Sequence, residues 1–335
     1  MKRVEPTEFE RNCADAAGAP DVYRSGMIRT VMDKSDWAIL VTLAVIWGGA
    51  FLFIGVAVRH IEPLTYVWAR LSIAAIAMWA FLRVRGEPLG LPRSAWGSML
   101  LLALLNNALP FTLFGWGQTH IASGLAAILN ATTPIWGLIV ARVLTQDERM
   151  NPRKLAGVLL GFGGVATMIG PALLTNIGTD GLAQLACITA SLSYALAAVW
   201  ARRFRRMGLS PMSVTTGQLT AGALMMLPFA LVIDQPWSQP VPPLTAWGAI
   251  VALALLCTAF GYVLYFRLID RAGATNALLV TLLVPPVAIV LGAMFLGEAL
   301  APQDFLGLAL IALGLAAIDG RLVSAWRARR LRPAV

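Results

Sequence analysis

The stretch ASGLAAILNATTP, residues 122–134, returns in altered form as GATNALLVTLLVP, residues 273–285. Three positions keep a displacement of 151, and the pairs are Ala126 with Ala277, Asn130 with Thr281, and Pro134 with Pro285. After the proline the displacement becomes 150, for Glu148 with Glu298, Gly157 with Gly307, Gly164 with Gly314, and Gly170 with Gly320. Upstream, residues 95–97 match 246–248 at 151, and Pro63 and Arg70 match Pro211 and Gln218 at 148. These constant spacings predict an internal duplication over residues 37–320.

The composition is that of an integral membrane protein. Hydrophobic residues make up 58% of the chain and charged residues 13%, which departs from the balance of a soluble domain. Each apolar run is long enough to cross a hydrocarbon core of about 30 Å. The ten predicted spans lie near 37–58, 63–82, 94–117, 122–141, 155–170, 181–201, 212–233, 245–266, 273–296 and 303–319.

The predicted fold is all-α, with ten transmembrane helices arranged as two five-helix repeats. An odd number of spans per repeat makes the second repeat enter the membrane from the opposite side, so the 5+5 arrangement is inverted. The predicted divisions are a cytoplasmic tail (1–35), a first repeat (36–171), a second repeat (180–320) and a basic cytoplasmic tail (321–335). Inverted repeats favour alternating access, with a substrate site near the membrane midplane.

The cationic residues predict the orientation. With the N-terminus inside, the tails and inner loops hold 24 of the 26 Lys and Arg, and the outer loops hold only Arg59. This bias places both termini in the cytoplasm at the inner (plasma) membrane. The net charge of +9 is then explained by topology and by membrane lipids as partners, without a nucleic acid. The oligomeric state does not follow from the sequence.

The chain resembles the EamA-type transporters of the drug/metabolite transporter superfamily. The resemblance covers residues 37–320 and includes the paired repeats, the proline-containing fourth and ninth helices, the acidic turns at Glu148 and Glu298, and the glycine-rich fifth and tenth helices. It implies a ten-helix inverted-repeat fold and the movement, often export, of amino acids or other small metabolites. The first acidic turn reads Gln146-Asp147-Glu148 where the second has Gly297-Glu298, so either Asp147 or Glu148 is the equivalent carboxylate.

Arg70 is the one charged residue well inside a predicted span. Because charges inside a bilayer are costly, its functional interpretation is a counter-charge for a substrate carboxylate or phosphate. The alternative is that its long side chain reaches the outer interface or binds free carbonyls. Its repeat partner, Gln218, is neutral and favours a polar site shared by both halves.

Other polar groups and helix breaks are predicted at matching depths in the two repeats. Pro110 frees the Asn106 carbonyl, Pro134 that of Asn130, and Pro285 that of Thr281, because proline has no N–H to donate. Helices broken at equivalent places point to a binding site, although prolines also kink membrane helices for packing alone. The candidate lining residues are Asn106, Asn107, Asn130, Thr281 and Thr258, the last being the repeat counterpart of Asn107.

Four aromatic residues lie deep in predicted spans: Trp47, Tyr194, Tyr262 and Tyr265. They are candidates for the wall of a cavity, and simple packing is the alternative for each. The glycines of the fifth and tenth helices let helix backbones approach closely. Glu148 and Glu298 are expected at helix ends, paired with cations or with the next helix's N-terminus.

The leading functional prediction is a secondary transporter, an exporter of amino acids or related metabolites. The alternative is an exporter of multiple drugs or cationic compounds. No Walker-type glycine loop is present, and no Asp or Glu lies well inside a span, so ATP use and a buried carboxylate relay are not indicated. An intramembrane enzyme would need clustered His, Asp or Glu, which the chain lacks, and a membrane scaffold has no evident use for an inverted duplication. We therefore predict no catalytic residue, metal site or cofactor.

Overall fold

Helices form nearly all of the part of the chain that the computed structural model describes, which comprises residues 32–145, 152–169, 179–277 and 279–319. No strand occurs within these ranges. We number the main helices in chain order: α1 (Lys34–Ala57), α2 (Pro63–Val84), α3 (Arg93–Gly117), α4 (Ser123–Leu144), α5 (Pro152–Ile169), α6 (Thr179–Arg206), α7 (Pro211–Asp234), α8 (Leu244–Ala272), α9 (Val280–Leu296) and α10 (Pro302–Asp319).

Seven of these helices, α1 to α4 and α6 to α8, are long and apolar enough to cross a membrane. The other three contain shorter apolar segments, which are Lys154–Thr167, Val280–Leu296 and Pro302–Ala317. The predicted all-α membrane class is therefore confirmed. The ten-span inverted arrangement stays a prediction, because length and composition support seven spans directly.

The starts of several helices follow from local sequence. Asp33 caps α1: its carboxylate accepts from the Asp36 N–H at 2.8 Å, while Asp36 accepts from the Asp33 N–H at 3.2 Å. Such a reciprocal pair satisfies two donors that a helix start leaves free. α2 and α7 begin at Pro63 and Pro211, where the missing proline N–H costs no hydrogen bond.

Four of the described helices contain a π-helical turn, and those of α3 and α8 lie at related positions, whereas those of α7 (Ala230–Asp234) and α9 (Gly292–Leu296) lie at the helix ends. The turn in α3 spans Leu104–Ala108 and the one in α8 spans Leu253–Phe260. In α3 the Leu109 N–H bonds to the Leu104 carbonyl, five residues back. The widened turn precedes Pro110, whose ring cannot donate to a helical carbonyl. The turns place Asn106 and Asn107 on α3, and Thr258 on α8, in locally widened backbone.

Helix α4 is interrupted where the sequence predicts a break. Its first part ends at Asn130 and its second begins at Thr133, just before Pro134. The second repeat differs: a short helix Ala274–Ala277 precedes a turn at Leu279, and Val280–Leu291 then runs as an α-helix through Pro285 and Pro286. The prediction of a matching break at Thr281 is wrong by about one turn. Proline's own φ is helical, so the helix accommodates both prolines and the distortion lies upstream of them.

Helices from the first half of the chain pack on helices from the second half. α1 contacts α9, α2 contacts α7, the later part of α3 contacts α6, and α5 contacts α10. The α5–α10 pair is held at backbone contact, since a Cβ on Gly314 would lie 2.5 Å from the Gly157 carbonyl oxygen. Helices α2, α3, α7 and α8 bring together one group of buried polar side chains.

Candidate functional site

Arg70 of α2 lies at the centre of a buried polar cluster and is 6% exposed. Its Nε donates to the Thr258 hydroxyl of α8 at 3.0 Å. Its guanidinium carbon lies 3.7 Å from the centre of the Phe111 ring of α3, a cation–π distance. The side chain therefore points into the helix bundle, and the alternative in which it reaches the outer interface does not hold in this structure.

Asn106 links the first part of the chain to the second within this cluster. Its amide nitrogen donates to the Gln218 side-chain oxygen at 3.0 Å and to the Tyr262 hydroxyl at 3.1 Å. Asn106 lies on α3, Gln218 on α7 and Tyr262 on α8, so one amide joins three helices. Gln218 is 4% exposed, and burial makes both hydrogen bonds expensive to leave unmade.

The four aromatic candidates lie on three helices. The Trp47 indole of α1 donates to the Cys257 carbonyl in the π-turn of α8 at 3.1 Å, and its ring centre is 5.3 Å from that of Tyr265. Tyr194 of α6 stacks on Phe114 at 6.2 Å. Trp47 thus has a structural role in satisfying a carbonyl. Tyr262 alone among the four has a hydrogen bond to the polar cluster within the described residues.

Asn107 is fully buried, and neither of its amide atoms has a hydrogen-bond partner within the described part of the chain. Its side chain packs toward α7, since a Cβ added at Gly222 would lie 3.8 Å from the Asn107 Cβ and 3.1 Å from Leu71. A buried polar group without a partner costs about 1–3 kcal/mol, so a buried amide with two such atoms requires an explanation.

Two side chains that sequence analysis missed satisfy the irregular backbone of α3. Ser193 of α6 donates to the Leu105 carbonyl at 2.7 Å, and Tyr66 of α2 donates to the Phe111 carbonyl at 2.9 Å. The sequence predicted that Pro110 frees the Asn106 carbonyl. Because the π-turn shifts the hydrogen-bonding register by one residue, the freed carbonyl that receives a side-chain donor is that of Leu105. The sequence signal that could have identified them is a serine and a tyrosine within apolar runs.

Asn130 and Thr281 belong to other helices. The Asn130 carbonyl accepts from the Thr133 hydroxyl at 2.7 Å, so the group freed by Pro134 is satisfied locally. Thr281 is half-buried on α9. Pro110 adjoins the cluster through the π-turn of α3, whereas Pro134 and Pro285 lie on α4 and α9. We therefore restrict the polar cluster to Arg70, Asn106, Gln218, Thr258 and Tyr262.

A second inter-helix contact lies where α4 begins. The Glu298 carboxylate, between α9 and α10, accepts from the Ser123 N–H at 2.9 and 3.0 Å and from the Ser123 hydroxyl at 2.7 Å. It is also 3.4 Å from the Gly124 nitrogen. The predicted partner, the next helix's N-terminus, is wrong: Glu298 caps α4, where the helix dipole favours an anion. Glu148 lies outside the described residues.

A third contact lies at the opposite end of the bundle, between α8 and the start of α1. The Arg271 Nε donates to Asp36 at 2.7 Å, and a terminal nitrogen lies 3.3 Å from Asp33 and also contacts the Ser35 hydroxyl. Asp36 is 1% exposed. Hydrogen bonds from the Asp36 N–H and the Ser35 hydroxyl hold the pKa of the Asp33 carboxyl below its ordinary value.

Comparison with known proteins adds independent findings. A model of the EamA-like transporter family matches residues 36–170 and again residues 181–318. An uncharacterized transporter, YoaV, of Bacillus subtilis (strain 168) is 25% identical over 82% of this chain and 94% of its own length. A probable terminal-alkyne amino-acid exporter of Streptantibioticus cattleyicolor is 27% identical over 87% of this chain and 95% of its own.

Two further similarities also cover most of the chain. An uncharacterized inner membrane transporter of Escherichia coli (strain K12), YedA, is 27% identical over 81% of this chain and 86% of its own length. A solved crystal structure of a protein superposes with a TM-score of 0.61 at 19% identity, over 90% of this chain and 100% of its own. This similarity establishes a shared fold. No group of three His, Cys, Asp or Glu is placed to hold a metal ion within the described residues.

Proposed function

Because the chain belongs to the EamA-like transporter family, we propose that this multi-pass membrane protein is a secondary transporter that moves small metabolites by alternating access. One observation carries the proposal: the buried cluster takes Arg70 and Asn106 from the first family match, and Gln218, Thr258 and Tyr262 from the second. A site built from both matched segments changes its exposure when those segments move relative to each other.

The proposed topology has ten spans in two inverted five-helix repeats, with both termini in the cytoplasm. The charge bias of the loops supports the orientation, and the duplicated spacings support the inversion. In this topology the Glu298–Ser123 contact lies at the outer end and the Arg271–Asp36 contact at the inner end. Each contact joins one matched segment to the other.

The two end contacts supply the closures that alternating access requires. Each is polar and reversible, because its groups can exchange protein partners for water on opening. The backbone of α9 lies directly against the Glu298 carboxylate, since a Cβ on Gly292 would lie only 2.5 Å from its oxygen. We propose that Glu298 releases the α4 N-terminus when the outer end opens and that Arg271 releases α1 when the inner end opens.

The proposed substrates are amino acids or related metabolites, and the proposed direction is export. The name of the Streptantibioticus cattleyicolor relative supports this class, as does the cationic Arg70 within aromatic surroundings. Export of cationic drugs is the alternative, favoured by the aromatic residues and opposed by the charge of Arg70. We further propose that the protein has no enzymatic activity and acts without a nucleic-acid partner, with membrane lipids as its surroundings.

The test is solute flux in proteoliposomes. We expect purified protein to carry at least one radiolabelled member of an amino-acid panel faster than protein-free liposomes do. Asn106→Leu should abolish most of this flux while the variant keeps the helical circular dichroism of the unaltered protein. A folded Asn106→Leu protein with full flux would exclude the buried cluster from the transport pathway. Absence of flux for every solute would instead favour a scaffold.

A further inference from the structure

The buried guanidinium of Arg70 has no acidic partner among the residues that the structure describes. The partners that the structure gives it are uncharged: the Thr258 hydroxyl at 3.0 Å, the face of the Phe111 ring at 3.7 Å and the adjacent Tyr66 hydroxyl. Arginine cannot lose its proton in a protein interior, so burial cannot be relieved by neutralisation. The positive charge at 6% exposure therefore remains to be balanced by something outside the described chain.

The acidic residues of the described helices do not supply that balance. Each lies within about one turn of a helix end. Asp36 binds Arg271, Asp304 accepts from the Ala301 N–H at 2.9 Å, and Asp234 accepts from the Thr65 N–H at 2.7 Å, so the three most buried of them are already engaged. The described helices therefore leave the charge of Arg70 to be balanced by an anion such as a bound solute.

From this arrangement, and resting on the proposed transport function, we infer that the site binds a monocarboxylate with an apolar or aromatic remainder and a net charge of −1. The guanidinium recognises a carboxylate by two parallel hydrogen bonds, a geometry that an ammonium or hydroxyl cannot reproduce. Phe111, whose ring lies against the guanidinium, and Tyr262, which bonds to Asn106, are the aromatic residues of the cluster that can contact the remainder.

The same arrangement disfavours zwitterions and cations. Among the described residues, an ammonium group at the cluster would meet neutral acceptors, such as the Asn106 oxygen and the tyrosine hydroxyls, and it would add a second positive charge beside Arg70. A solute of charge −1 neutralises the site, whereas a zwitterion leaves it cationic and an amine makes it more so. Within the amino-acid-related class, the geometry thus favours 2-oxo acids and N-acylated amino acids over free amino acids.

Matched ligands test this inference by isothermal titration calorimetry on the unaltered protein in detergent. The aromatic set is 3-phenylpropanoate, phenylalanine, 2-phenylethylamine and 3-phenylpropan-1-ol, and 4-methylpentanoate with leucine forms an aliphatic pair. We expect the better of the two monoanions to bind at least tenfold more tightly than its zwitterionic counterpart, and the amine and alcohol not to bind measurably. Because the comparison uses the unaltered chain, misfolding of a variant cannot decide it.

A pair of arginine variants localises the binding. Arg70→Gln should weaken carboxylate binding at least tenfold, whereas Arg59→Gln, in an exposed loop, should leave it unchanged. Phenylalanine or the amine binding as tightly as the monoanion, or absence of binding by both monoanions, would overturn the inference. Flux of another solute in proteoliposomes under those results would leave the transport proposal standing, so the two failures are distinguishable.

Discussion

At the scale of single residues, Asn107 and Gln118 each have both amide atoms buried without a partner among the described residues, and Asn107 is the one that is fully buried. Replacing Asn107 with leucine, which has the same branched shape, removes two unpaired buried polar atoms, each of which destabilises the protein by about 1–3 kcal/mol. We expect Asn107→Leu to raise the melting temperature in detergent and to lower flux several-fold. Unchanged flux would show that the amide has no part in transport.

Tyr262 and Tyr265 form a matched pair for testing the hydrogen-bonded cluster. The Tyr262 hydroxyl accepts from Asn106 at 3.1 Å, whereas no hydrogen bond is found for the Tyr265 hydroxyl within the described residues. A neutral hydrogen bond contributes about 0.5–1.5 kcal/mol. Tyr262→Phe should therefore reduce substrate affinity or flux by about twofold to tenfold, and Tyr265→Phe should change either by less than twofold. Kinetics of both variants in one liposome preparation would decide; equal effects would contradict the assignment.

The composition of the cluster was predictable from the sequence, but its pairing was not. Polar groups within apolar runs are costly, and this fact alone singled out Arg70, Asn106, Gln218 and Thr258. Their contacts depend on how helices distant in sequence pack together, which local patterns do not encode. Asn130 was singled out by the same rule, yet its freed carbonyl is bonded by the neighbouring Thr133.

At the scale of helices, the close packing of α5 on α10 depends on absent side chains. A Cβ on Gly314 would lie 2.5 Å from the Gly157 carbonyl oxygen, and one on Gly163 would meet nothing within 4 Å. We expect Gly314→Val to lower stability by about 1–3 kcal/mol, as overpacking does, and to reduce the melting temperature or folded yield. Gly163→Val, on the exposed face of α5, is the control and should behave as the unaltered protein. Comparable loss in both would refute close packing as the cause.

The Glu298 contact should control opening of the outer end. Glu298→Gln removes the charge while keeping one acceptor, and hydrogen bonds to charged groups contribute about 1.5–3 kcal/mol. In a Gln118→Cys background, we expect Glu298→Gln to increase labelling by an impermeant maleimide about tenfold. Glu62→Gln, an exposed acid at the same end, is the control. Labelling that is equal in both variants would remove Glu298 from the closure.

The irregular helices show where sequence reasoning ends. Pro110 predicted the distortion of α3, but α8 has a π-turn at the related position and contains no proline. There the Trp47 indole satisfies the Cys257 carbonyl, a contact between distant helices. In α9 the break predicted from Pro285 was wrongly placed, because a helix can accommodate a proline when neighbouring turns take up the distortion.

At the scale of the whole molecule, the repeated spacings and the charge bias of the sequence were enough to predict the fold class. They could do so because membrane insertion constrains every span in the same way: by length, apolarity and flanking charge. Substrate choice has no such uniform rule. It depends on a few side chains brought together from α2, α3, α7 and α8, and on a charge balance visible only when their partners are known.

The central proposal, alternating access at the cluster between the two matched segments, is tested most directly by counterflow. Proteoliposomes are loaded with an excess of an unlabelled solute that the protein carries, diluted, and given a trace of the same solute radiolabelled outside. Alternating access predicts a transient accumulation of label above its equilibrium level, because the carrier returns inward mainly with labelled solute. Label that rises to equilibrium without an overshoot would indicate a channel and would contradict the proposal.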